Sequence, residues 1–308
     1  MASPLPLPPG PRIAILLNSS PSPHTQSTKA SFLSSIQAAC NSNSNSNSNS
    51  NSNSNSNSNS NSNSTNSPPP RAQIDFFDPV IAQRYPDPAL YDLIVLSGGT
   101  TDPMGTDEPW VRALHAFVRA ATATVSTASP SSSSPSSSRH RCKMLGICWG
   151  HQAICAAFGG EVAAMEEAEI GITTIPLTLA GVHFFHSMPA VTTTTSTSPP
   201  SLKIHEYHRR RITRPAPGFA ALAQDHQSFL GGGAAHDDDD DDHHHHHNIL
   251  SFQGHPEMNE DLIRTMFAHV PPYMGVAERD KEAIAARLEG PHDGVAIWTR
   301  ILEWLRED

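Results

Sequence analysis

The 308-residue sequence predicts an α/β fold, an open, mostly parallel sheet with helices on both faces. Two observations carry that expectation. Short apolar, β-branched runs alternate with stretches of helical periodicity, which is the order that covers a parallel sheet on both sides. One of these runs then passes through "GICWG", residues 146–150, directly into a helix. That is the strand–turn–helix corner of a nucleophile elbow. Together they give the sheet a flavodoxin-like character.

The elements follow in order. "RIAILLN" (12–18) reads as a buried strand, and a helix follows at 25–39. "AQIDFFDP" (72–79) is a second strand, and "YDLIVLSGGT" (91–100) is a third that ends in paired glycines. Residues 107–121 place Trp110, Leu114 and Phe117 at helical spacing. "CKMLGIC" (142–148) is a fourth strand and leads into a helix at 149–158. Shorter strands are expected at 170–179, 182–185, 203–206 and 249–253, with amphipathic helices beyond 258.

Three tracts interrupt this pattern: the Asn-Ser repeat region 41–70, the Ser/Thr/Pro-rich 121–139, and 231–247 with its Asp and His runs. Such tracts bury too little apolar surface to offset the entropy of ordering them, so they are expected to be disordered insertions. Closure entropy grows only logarithmically with loop length, so a core tolerates them. The remaining chain suits one α/β domain of roughly 200–250 residues. Asp237–Asp242 supply six of the formal net charge of −10, and the rest is too balanced to imply nucleic acid or membrane as a partner. No run reaches the ~18–20 apolar residues that span a bilayer, and the proline-rich start makes a poor signal peptide. The four cysteines have neither metal-type spacing nor disulfide density, which fits a reduced, cytoplasmic protein.

Cys148 lies between Gly146 and Gly150 at the start of a helix, where the helix dipole and free N–H groups favour the reactive thiolate. A thiolate nucleophile needs a base and a group that orients it. "ILSFQGHPE" (249–257) supplies both, because residues two apart in an extended segment point the same way. His255 takes the base role, Glu257 fixes its tautomer, and Pro256 restricts the backbone between them. The third need is an oxyanion hole, offered by Gly98 and Gly99 in "SGGT" and by the N–H of Trp149.

At these three segments the chain resembles class I glutamine amidotransferase domains: "SGGT", "GICWGHQAICAAFGGEV" and "SFQGHPE". The resemblance covers roughly residues 12–258, with 259–308 as a C-terminal helical extension of the same domain. It implies a Cys148–His255–Glu257 triad that attacks a γ-glutamyl amide and forms a thioester that water hydrolyses. It implies an oxyanion hole at Gly99 and Trp149, and substrate contacts from Gln152 in "GHQ" and from Gly98. No cofactor or metal is implied. The stretch 169–185 is similar to the family's β-hairpin after the elbow helix.

Two features depart from that pattern. Where family members often carry H-x-D-x-V, this chain reads "HRRRI" (208–212), with Arg210 at the acid position. A solvated loop is expected there, and an arginine on the open side of the pocket would favour a leaving group bearing a carboxylate. After Glu257 come only about fifty residues, which read as helical, so no synthetase domain is expected there. It resembles stand-alone members that serve biosynthetic, including specialised-metabolite, pathways, with a separate synthetase as a possible partner. The alternatives are a γ-glutamyl peptidase acting on glutathione-like conjugates and a catalytically idle binding subunit. The Asp/His run 236–247 is expected to be a solvated insertion without fixed metal geometry.

Overall fold

A computed structural model describes residues 10–49, 71–105, 107–123, 142–192, 199–231 and 248–307. The chain order is β1 (Arg12–Leu16), α1 (Thr25–Asn49), β2 (Gln73–Phe77), β3 (Leu93–Leu96), α2 (Pro109–Ala123), β4 (Lys143–Ile147) and α3 (Trp149–Ala157). After α3 come β5 (Glu161–Pro176), α4 (Leu179–Phe184), α5 (Pro189–Thr192), β6 (Ser201–Arg214), β7 (Phe219–Ala221) and β8 (Ser228–Gly231). The chain closes with β9 (Ile249–Phe252), α6 (Glu260–Ala268), α7 (Lys281–Ala285) and α8 (Gly294–Trp304).

The main sheet has the order β2-β1-β3-β4-β9-β8-β7. The first five strands are parallel, with Ile13 opposite Leu93 and Leu96 opposite Gly146, and β8 and β7 extend them antiparallel. The parallel part has the flavodoxin-type order, whose ligands lie outside the carboxyl ends of the strands. Alternation along each strand divides the core. Ile13, Ile15, Leu93, Val95 and Leu145 face α1 and α8, meeting Phe32, Ile36, Trp298 and Ile301. Ala14, Leu16, Ile94, Leu96 and Met144 face α2 and α3, meeting Trp110, Leu114, Trp149 and Ile154. Both faces of the strands are therefore apolar, which is why they read as continuous runs rather than as alternating ones.

Several expectations need correction. Helix α1 continues through Asn49, nine residues into the Asn-Ser repeat. An established helix propagates one bond per residue, and Ser42 donates its hydroxyl to the Ala38 carbonyl at 3.1 Å. The remainder of that repeat, and 124–141 and 232–247, lie outside the described residues. Residues 182–185 form no strand: 182–184 belong to α4 and Phe185 caps its end, while Thr178 caps its start by accepting from Gly181 N. The strand expected at 170–179 is the last part of β5, which stops at Pro176, and that at 203–206 lies within β6; the two form a long antiparallel pair separate from the main sheet. The segment 208–214 is therefore strand, not loop. Its Arg210 and Arg211 pair with Ala164 and Ala163 across the ladder, and such pairing satisfies backbone groups whatever the side chains. Strands β7 and β8 were too short to stand out from their Gly- and Ala-rich surroundings.

Among the described residues, no helix is long and apolar enough to cross a membrane.

Candidate active site

The site forms where β1, β3, β4 and β9 end. Cys148 is the residue between β4 and α3, with φ +52° and ψ −105°. A non-glycine residue at positive φ is strained, and such strain gathers at functional positions. The neighbouring glycines are fixed by contact. A Cβ on Gly150 would stand 2.2 Å from the Leu96 carbonyl oxygen, and one on Gly146 would stand 2.8 Å from the Gly150 carbonyl. Helix α3 can approach β3 and β4 this closely only without those side chains. The Cys148 N–H donates to the Phe252 carbonyl at 2.8 Å, which ties the elbow to β9.

Just past β9, His255 presents Nδ1 to Glu257 Oε1 at 2.8 Å, with both side chains buried. The His255 N–H donates to the His205 carbonyl at 2.8 Å, so β6 holds the imidazole from behind. Helix α1 secures the next residue: Ser31 and Ser35 both donate to the Glu257 carbonyl, at 2.5 and 3.0 Å. Burial alone would drive His255 to its neutral form, but Glu257 and the Cys148 sulfur outweigh it and raise its pKa well above the usual imidazole value. Nε2 lies within electrostatic reach of that sulfur without a well-aligned hydrogen bond, and the thiol points to the Tyr207 carbonyl at 3.8 Å. Loose resting geometry of this kind is common before substrate binds.

Gly98 closes the site from β3. A Cβ there would meet His255 Cε1 at 3.2 Å and Cys148 Cβ at 3.9 Å. A Cβ on Gly99 would collide with the Asn18 carbonyl at 2.4 Å. Asn18 and Ser97 are joined by two hydrogen bonds of 3.1 and 3.0 Å, which lock the ends of β1 and β3 together. The Trp149 indole stacks on Trp110 and donates to the Thr101 carbonyl at 2.6 Å, holding the glycine corner in place. Its backbone N–H is the first of α3, where helix amides have no intrahelical partner.

Not every expected site residue converges here. Gln152 is buried, donates to the Arg210 carbonyl at 2.8 Å and to Gln253 Oε1 at 2.9 Å, and does not line the cavity. Arg210 reaches the Thr100 carbonyl at 3.4 Å, which sets its guanidinium beside the glycine corner. Its neighbour Arg209 clamps the wall of the cavity, donating to the Tyr273 carbonyl at 2.6 Å.

Behind the nucleophile lies an ionic group whose His208 and Glu206 are buried and whose Glu169 is partly exposed. His208 Nε2 sits 2.9 Å from Glu169 and 3.1 Å from Glu206. Burial opposes a charge on His208, yet the two carboxylates outweigh it and push its pKa up to about 10. Burial raises the Glu206 pKa in turn. The arrangement is a clamp on β6, the strand that backs both Cys148 and His255.

Sequence reasoning missed Ser31, Ser35, Asn18 and Tyr207. The available signal for the serines was their position on the apolar face of α1, beside Phe32 and Ile36.

Cys148, His255, Glu257, Gly98 and Gly99 all line one cavity of about 380 Å3. The model for the glutamine amidotransferase class-I family matches residues 78–268, which contain all five. The glutamine amidotransferase-like protein chyE of Penicillium rubens is 31% identical over 239 residues, covering 77% of this chain and 84% of its own. The glutamine amidotransferase-like protein chry6 of Gibberella zeae is 32% identical over 237 residues, covering 76% of this chain and 82% of its own. In fold, the chain is similar to a glutamine amidotransferase from Thermotoga maritima, with a TM-score of 0.53 at 14% identity over 96% of this chain and 98% of that one. The elbow, the glycine corner and the histidine strand thus stand within a family-wide match, and the chain belongs to the class I glutamine amidotransferase family.

Proposed function

We propose that the chain hydrolyses a γ-glutamyl amide at Cys148. The observation that carries this reading is the meeting of a strained elbow cysteine with a buried His255–Glu257 pair at the mouth of one cavity. The Cys148 sulfur attacks the amide carbon, and the oxyanion that forms is held by the N–H groups of Trp149 and Gly99. His255 gives its proton to the departing nitrogen, the C–N bond breaks, and a γ-glutamyl thioester remains. His255 then takes a proton from water, whose oxygen attacks the thioester, releasing glutamate and restoring the thiol. Glu257 accepts from Nδ1 throughout and keeps Nε2 aimed at the reaction.

Family membership supports glutamine or a related γ-glutamyl amide as the substrate, and a separate synthetase would receive the nitrogen where ammonia is the product. Arg210 is bonded to the Thr100 carbonyl and does not line the cavity, so neither the glutamyl part nor the leaving group is assigned to it. The test is to incubate the full chain with γ-glutamyl amides and measure glutamate and amine together. Equal release by the wild type and none by Cys148→Ala is expected. Equal turnover by the two proteins would overturn the reading.

A further inference from the structure

The cavity at Cys148 has an apolar wall that an unsubstituted amide would not fill. Its volume of about 380 Å3 lies in the range, roughly 300–1,000 Å3, that holds drug-sized ligands. Its two halves differ. On one side of the nucleophile lie Ser97, Gly98, Gly99 and Thr100, rich in backbone N–H groups. On the other lies an apolar wall that begins directly after the triad: Met258, then Leu262 and Met266 one helical turn apart on α6. Tyr207 and Tyr273 complete that wall, and the Tyr207 hydroxyl donates to the Met266 carbonyl at 3.4 Å. Among the described residues, no lysine, arginine or aspartate lines the cavity, its one glutamate is the Glu257 already bonded to His255, and its two further histidines, His24 and the exposed His269, face each other with ring centroids 5.5 Å apart.

The chemistry decides which half receives which part of the substrate. The oxyanion must lie towards the Trp149 and Gly99 amides, and the departing nitrogen towards His255. Whatever that nitrogen carries therefore extends past His255 along the chain that follows it, onto Met258, Leu262 and Met266. Free ammonia leaves this wall empty. A charged peptide such as cysteinyl-glycine would bring a carboxylate against the Met258, Leu262 and Met266 side chains, which offer it no hydrogen-bond donor, at the cost of desolvation. Thioether and aromatic side chains instead suit a flat apolar ring, because methionine sulfur packs well against ring edges.

We propose that the amide cleaved here bears an uncharged, apolar substituent on its nitrogen, an arylalkyl or aryl group, seated against Met258, Leu262 and Met266. This rests on the γ-glutamyl hydrolase reading above and names its leaving group. The reaction balances as amide plus water giving glutamate plus the free amine, with His255 supplying the proton that the amine takes away.

The experiment compares initial rates of the full chain on L-glutamine, γ-glutamylglycine and γ-glutamylbenzylamide. The last two release alkyl amines, so they differ chiefly in what the wall must accept. Burying the ring favours the benzylamide by roughly ten- to a hundred-fold in kcat/KM, carried mainly by KM. Met266→Lys then lowers the benzylamide value and raises that for γ-glutamylglycine, narrowing the ratio by about ten-fold or more. Met266→Leu, similar in volume, keeps the preference and controls for folding. Glutamine or γ-glutamylglycine turned over as efficiently as the benzylamide would overturn this inference and leave the hydrolase reading intact. If none of the three is cleaved, the hydrolase reading fails and this inference with it.

Discussion

His255 donates from Nδ1 to Glu257 Oε1 over 2.8 Å, although only Pro256 separates the two residues and both are buried. A pair so close in sequence needs little else to find its geometry, because an extended backbone sets both side chains on one side. What the fold adds is the anchoring of each end: His205 holds the His255 amide, and Ser31 and Ser35 hold the Glu257 carbonyl.

Replacing Glu257 with Gln keeps the shape but removes the charge that holds the imidazole tautomer. The expected outcome is a fall in kcat of about 10²- to 10⁴-fold with little change in KM. Steady-state kinetics on a γ-glutamyl amide reads this directly. A loss confined to KM would show that Glu257 only shapes the cavity.

The elbow predicts an unusual order of stabilities. At φ +52°, Cys148 occupies a conformation that disfavours any Cβ. Cys148→Gly is therefore expected to be more stable than Cys148→Ala, by about 1–2 kcal/mol, with both inactive. Urea unfolding of the two variants gives the comparison. Ordinary backbone positions give the reverse order, so an alanine variant as stable as the glycine one removes the strain argument.

Gly150→Ala is expected to damage the fold as well as the site. Its new methyl would stand 2.2 Å from the Leu96 carbonyl oxygen, which is backbone and cannot rotate away. Helix α3 must shift, at a cost of about 1–3 kcal/mol, and Cys148 shifts with it. Melting temperature and turnover should fall together, and a variant that keeps both would show that α3 does not seat as described.

His208 makes stability depend on pH. In the folded chain it keeps its proton up to about pH 10, against a usual value of 6.5. The fold therefore binds a proton that the unfolded chain releases between those values. The stabilisation is complete below 6.5 and is lost as pH rises towards 10. Glu206, whose pKa burial raises, acts in the same direction. His208→Gln is expected to flatten this decline, and to destabilise the protein near neutrality by leaving a buried carboxylate unpaired. Denaturant unfolding between pH 6.5 and 10 tests both effects, and an unchanged slope in the variant would remove His208 as their source.

The parts of the fold that were legible in the sequence are those buried on both faces. β1, β3, β4 and β9 are short apolar runs that no other structure explains well, and the elbow announces itself by Gly146 and Gly150 around one cysteine. The antiparallel pair β5–β6 was harder to see. Its long strands carry Glu166, Glu167 and Arg209–Arg211, charged runs that resemble a solvated loop, because β5 is largely open to solvent and β6 is so from Arg209 to Arg211. Residues 182–185 misled in the opposite direction, since Val182, Phe184 and Phe185 are β-formers placed in a short capped helix by tertiary packing. Gln152 was drawn to the site by its motif, yet its amide is bonded to Arg210 and Gln253, two residues distant in sequence whose approach nothing local reveals.

The central claim is that Cys148 is the nucleophile for a γ-glutamyl carbonyl. Its most direct test is alkylation of the full chain by a glutamine analogue with a chloromethyl ketone in place of the amide, followed by peptide mapping. The account predicts stoichiometric, saturable labelling of Cys148 alone, slowed by a competing γ-glutamyl amide and absent from Cys148→Ala. Labelling spread over Cys40, Cys142 and Cys155, or labelling of Cys148 that no γ-glutamyl compound protects, would contradict it.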